Sequence, residues 1–161
     1  MRRMLFVCLL VVCGEAAAKE YLEQLESEVI EVPTLTKDQI LSRAKVCVVE
    51  LARNAAATET VLADAATEDT LVSIARVGYS SKLMNYSMRS RLTVLAKDGK
   101  FKIRQANIER MTLNTGSMVN TGFGPVGKWW GMGYEAAQKV LEGYASEVAD
   151  CIKKEPVAET W

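Results

Sequence analysis

The segment Gly122-Phe-Gly-Pro-Val-Gly-Lys128 has the residue types and spacing of a phosphate cradle. It fits G-x-G-x-x-G, and also G-x-x-x-x-G-K, one residue short of a P-loop. Such loops hold phosphate with backbone N–H groups and a lysine. Three features count against that chemistry. Trp129 stands where a Ser or Thr hydroxyl would bind Mg²⁺, and Pro125 removes one N–H. The element before the loop reads as the polar end of a hairpin, not as a buried parallel strand. The segment is therefore read as a glycine-rich loop without a nucleotide. Its aromatic residues are a second signal. Phe123, Trp129 and Trp130 put large rings where a loop can anchor a ligand, glycan or partner. In the competing reading, one or both tryptophans cover the core edge at the start of the last helix.

Catalytic sets are scarce. The chain has no histidine, so Ser-His and Cys-His pairs and imidazole metal sites are absent. Asp64, Glu68 and Asp69 cluster near a turn, as a solvated loop does. Paired carboxylates for glycoside hydrolysis need a lined cleft, which the sequence does not outline. The chain is read as non-enzymatic, with no cofactor and no metal. An unusual hydrolase is the alternative from another class.

The first eighteen residues bear on compartment. Met1-Arg2-Arg3-Met4 is a basic start, Leu5 to Val12 is apolar, and Ala16-Ala17-Ala18 offers a cleavage site before Lys19. This is the layout of a secretory signal peptide. The apolar run from Met4 to Cys13 is too short to cross a bilayer core of ~30 Å as a helix. A second processing route would lipidate Cys13; Leu10 suits it and Val12 does not. That route would make the protein a lipid-anchored structural component of the envelope. Residues 19–155 form one domain and 156–161 a tail. Loss of Arg2, Arg3 and Glu15 moves the formal charge from zero to one net negative. A near-neutral chain carries no global electrostatic footprint for nucleic acid. Of four cysteines, Cys47 and Cys151 remain. An oxidising envelope permits a disulfide between them; two buried thiols are the other reading.

The elements that must position these residues are led by a hairpin. Asp98-Gly99 sits between alternating segments from Tyr86 to Ile108, and such a pair favours a type I′ turn. A two-residue loop sets Ala96 against Phe101, Val94 against Ile103 and Leu92 against Gln105. Leu92, Val94, Ala96, Phe101 and Ile103 then share one face. Arg89, Arg91, Lys97, Lys100, Lys102 and Arg104 share the other, which is either a contact surface or a solvated sheet face. Past Gln105 the alternation slips, which a bulge would explain.

Elsewhere, Ser27–Val32 reads as a strand with Val29 and Ile30 inside. Thr36 and Gln39 form a capping box for a helix ending at Asn54, with Ile40, Leu41, Ala44, Cys47, Val48 and Leu51 on its apolar stripe. Thr58–Ala63 and Thr70–Ser80 read as strands, the latter with a bulge at Gly78. Ser80 to Asn85 is a loop. A last helix runs from about Met132 to Lys153, its stripe including Ala137, Leu141, Tyr144, Val148 and Ile152. The order β-α-β-β-β-β-α, with two one-faced helices, predicts an α+β two-layer sandwich with both helices on one face of an antiparallel sheet.

This order resembles a family of bacterial envelope proteins, defined as a domain of unknown function with a TATA-binding-protein-like (TBP-like) fold. The matching pieces are the strand Glu28–Pro33 leading through Thr36-Lys37-Asp38 into the first helix, the strand pair after it, and Leu92-Thr-Val-Leu-Ala-Lys-Asp-Gly-Lys-Phe-Lys-Ile-Arg104. The similarity spans Val29 to Lys153 and departs in the glycine-rich segment. It implies an architecture and no catalytic residues; the fold name does not imply DNA binding. The expected role is that of an exported periplasmic or envelope module that binds an envelope protein, a glycan or a lipid headgroup.

Overall fold

The computed structural model describes residues 20–54, 69–81, 84–113, 122–128 and 133–154. Its elements are β1 (Gln24–Glu26), β2 (Ile30–Glu31), α1 (Lys37–Asn54), β3 (Thr70–Ser81), β4 (Met84–Lys97), β5 (Lys100–Thr112), β6 (Gly124–Pro125) and α2 (Tyr134–Lys153). The expected strand Thr58–Ala63 lies outside the described residues. The sheet is antiparallel in the order β1-β5-β4-β3, and β2 and β6 also pair with β5. One edge of β5 is thus covered in pieces by three short strands. β2 falls within the predicted strand Ser27–Val32, and β1 is a further strand just before it.

The hairpin has the expected register, with Val94 opposite Ile103 and Leu92 opposite Gln105. Its turn differs from type I′, because Gly99 has φ +74° whereas Asp98 does not enter the left-handed region. Docking shapes this turn. Val32 N–H donates to Gly99 O at 2.8 Å, and Gly99 N–H donates to Leu35 O at 2.9 Å. The Asp98 carboxylate accepts from Lys37 N–H at 2.8 Å, at the start of α1. Beside it the capping box closes: Thr36 N–H donates to Gln39 Oε1 at 2.9 Å, and Gln39 N–H to Thr36 Oγ1 at 3.3 Å.

The slip in alternation is a bulge one turn of the ladder beyond its predicted place. Arg91 pairs with Ala106 but Arg89 with Glu109, so β5 holds one extra residue. Asn107 sits there with φ +52°, a region that Asn tolerates better than most side chains. Other expectations are corrected. Gly78 is not bulged, since β3 and β4 pair without a break from Thr70 to Ser81. The predicted Ser80–Asn85 loop is shorter, because Ser80 pairs with Asn85 and Ser81 with Met84. Val29 is not inside; it falls between β1 and β2 and is 56% exposed.

Both helices cover one face of the sheet. Ile40, Ala44, Cys47 and Val48 of α1 and Tyr144, Val148 and Ile152 of α2 pack on Leu92, Val94, Ala96, Phe101 and Ile103. A second cluster joins Leu22, Met88, Ile108, Val126, Ala137 and Leu141. Gln105 is buried among them, accepting from Ser90 Oγ at 3.0 Å and donating to Leu141 O at 2.7 Å. It pins the sheet to α2 with a satisfied polar link. Cys47 and Cys151 form a disulfide between α1 and α2, with Cα atoms 5.8 Å apart. Arg43 adds to the same contact by donating to Ile152 O and Lys154 O.

Candidate functional site

The side chains that alternate away from the core make up the other face of the sheet. Among the described residues, no helix covers it, although Val72, opposite Thr93, is only 6% exposed. Cross-strand rows order it from the turn outward. Lys97 lies opposite Lys100, Leu95 opposite Lys102, Thr93 opposite Arg104 and Arg89 opposite Glu109. β3 adds Ile74 beside Arg91 and Arg76 beside Arg89. Ile74 is 38% exposed. The face therefore carries cations with aliphatic groups between them.

Phe123 joins this face from the glycine-rich segment. Its ring centroid lies 4.3 Å from Arg89 Cζ and 5.7 Å from Arg76 Cζ, close enough for cation–π attraction. Arg89 Nε also donates to Glu109 Oε2, so its guanidinium is held between a ring and a carboxylate. Glu26 of β1 receives Lys102 Nζ at 2.7 Å and Arg104 Nη2 at 3.0 Å. The Lys102 hydrogen bond, followed by that of Arg104, holds the Glu26 carboxyl below its usual range. Arg91 is exposed and has no carboxylate partner among the described residues. The strip is thus unevenly neutralised: Arg89, Lys102 and Arg104 are tied down, and Arg91 faces solvent.

The structure sets Phe123 against Arg89, on the same face that carries Arg91, Lys102 and Arg104 in further rows, whereas the sequence offers two separate candidate surfaces. Trp129, Trp130, Ala18 and Lys19 lie outside the described residues, as do Asp64 and Glu68. Asp69 pairs with Lys37 Nζ at 2.8 Å, and that hydrogen bond lowers its carboxyl pKa. Arg76, Glu26 and Glu109 are the members that sequence reasoning missed. Alternation along β3 could have placed Arg76, whereas β1 is too short to show a period.

The glycine segment is more ordered than a free loop. Gly124 and Pro125 pair with Arg110 and Glu109, and Gly127 bridges Tyr21. Val126 is fully buried, and its carbonyl accepts from Leu22 N–H at 2.8 Å. Lys128 N–H donates to Glu20 O at 2.9 Å. These backbone groups close the sheet edge, so they do not converge as a phosphate cradle. What the segment delivers to the helix-free face is the Phe123 ring. Guanidinium groups, a ring and exposed aliphatic carbons suit the binding of an anionic partner with apolar parts.

A family model described as a domain of unknown function (DUF4468) with TBP-like fold matches residues 27–110. That stretch runs from just before β2 through most of β5. A crystal structure of a DUF4468 family protein from Bacteroides ovatus is similar with a TM-score of 0.60 and 12% identity, covering 85% of this chain and 89% of that one. A TBP-like protein from Parabacteroides distasonis is similar with a TM-score of 0.65 and 9% identity, covering 83% and 94%. No curated protein matches the chain. Among the described residues, no helix is long and apolar enough to cross a membrane.

Proposed function

This chain belongs to the DUF4468 family of domains with a TBP-like fold, and we propose that it is an exported, non-catalytic binding module of the cell envelope. Its contact surface is the helix-free face of the sheet. The observation that carries this reading is the grouping of Phe123, Arg89 and Arg76 beside exposed Arg91 and Ile74. Aromatic and arginine side chains are the residue types that dominate binding energy at interfaces.

Export is supported by two separate features. The first is the basic, apolar and alanine-rich order of residues 1–18, with cleavage before Lys19. The second is the Cys47–Cys151 disulfide, a bond that persists in oxidising compartments and is rare in the cytosol. The fold name gives an architecture only, and the partner has to be argued from the face. Its cations are partly matched by Glu26 and Glu109, and the whole chain is near neutral. That balance favours an envelope protein, glycan or lipid headgroup over nucleic acid.

The test is affinity capture from envelope extract with the folded protein as bait. Arg91→Glu and Phe123→Ala are each expected to lower partner affinity by about 30-fold, as loss of an interface anchor does. Circular dichroism unchanged from wild type would show that folding is intact. Equal capture by both variants and wild type would contradict the proposal.

A further inference from the structure

A depression of about 440 Å³ opens at the turn end of the helix-free face. Val29, Thr70 and Leu95 line it, with Lys97, Lys100 and Lys102 around them and Asp69 at one side. The volume falls within the range of sites that hold small molecules. Among the described residues, two features of its lining are unsatisfied. Val29 is a large apolar side chain left more than half exposed. Lys97 and Lys100 lie directly opposite each other across β4 and β5, and like charges so placed repel.

The neighbouring charges show which ammonium groups are available. Lys102 is held by Glu26, and Asp69 is hydrogen-bonded by Lys37 and feels a weaker attraction from Lys97. Glu31 is the cross-strand neighbour of Lys100 on β2. Neither Lys97 nor Lys100 has a carboxylate at ion-pair distance among the described residues. A bare anion would settle the lysines and leave Val29 and Leu95 wet. An uncharged chain would cover the apolar wall and leave the two ammonium groups in mutual repulsion.

We propose that this depression binds a single-chain anionic amphiphile, a fatty carboxylate. Its head sits between Lys97 and Lys100, and its chain lies along Val29 and Leu95. This extends the binding role proposed above to a second part of the same face. It can fail separately, because Arg91 and Phe123 are not part of it.

Laurate, kept below its micelle concentration, is the probe, titrated calorimetrically into the folded, oxidised protein. Saturable binding is expected, with dodecyltrimethylammonium and acetate giving none. Lys97→Glu is the informative variant, because it turns a like-charge pair with Lys100 into an opposite-charge pair. Its circular dichroism should match wild type while laurate affinity falls about tenfold, the loss of one charge-assisted hydrogen bond. Val29→Ser should weaken laurate as well. Absence of saturable laurate binding would overturn the proposal, as would equal binding of acetate or of the cationic amphiphile. Binding to phosphatidylglycerol vesicles without binding of monomeric laurate would assign the face to a bilayer surface and also overturn it.

Discussion

The Asp98 carboxylate accepts the Lys37 N–H across 61 positions of sequence, so a turn residue also caps a helix. The anion sits at the positive end of α1, where it is favoured by the helix dipole. Asp98→Ala should therefore cost about 1 kcal/mol of stability, within the 0.5–2 kcal/mol typical of a lost cap. Asp98→Asn should cost less, because Asn keeps an acceptor and suits the turn. Urea denaturation of the two variants checks this, and equal stability of Asp98→Ala and wild type would contradict it. The sequence marks Asp98-Gly99 as a turn but hides the cap. The reason is physical: turn propensity is local, whereas the cap needs α1 to lie against the hairpin. The same limit hid the burial of Gln105. Its register position beside Leu92 was legible, yet its partner Leu141 O belongs to a helix 36 positions away.

Long elements were legible, and of the short ones only β2 was, within the predicted strand Ser27–Val32. The stripes of α1 and α2 repeat over several turns, and their buried members Ile40, Ala44, Val48, Leu141, Val148 and Ile152 match the pattern. β4 and β5 alternate over enough residues to reveal both their core side and the bulge. β1 and β6 have three and two residues, so alternation has nothing to repeat. Val126 is the trace that β6 and its flank leave, a branched apolar residue in a glycine-rich segment that turns out to be core. Between the helices, the disulfide closes a long loop, with a sequence separation of 104. Constraint of so long a loop in the unfolded chain stabilises substantially, so the Cys47→Ala/Cys151→Ala double variant should lose about 2–5 kcal/mol. Wild type treated with reductant should approach the double variant in denaturation, and acid-quenched thiol trapping in whole cells should find both cysteines unreactive. Two free thiols in the native protein would end this account and remove one support for export.

At the scale of the molecule, two layers divide the work. The helices, their disulfide and the inward face of the sheet make the core, and the contact surface we propose lies on the outward face. Its cations were legible from the hairpin alternation alone. Their pairing with Glu26 and Glu109, and the arrival of Phe123, were not, because each depends on how a short strand docks on β5. A likeness of 12% identity or less to solved structures carries the fold and leaves the partner to the chemistry of the face. Ile74 and Val46 allow the faces to be compared, since both are large apolar residues exposed at 38% and 55%, one on the helix-free face and one on α1. The most direct measurement places a photo-crosslinking residue at each position in turn, in cells that make the protein. We expect the position of Ile74 to crosslink to an envelope component, and that of Val46 to give little or none. Equal yields from the two positions, or crosslinking from Val46 alone, would contradict the assignment of the helix-free face as the contact surface.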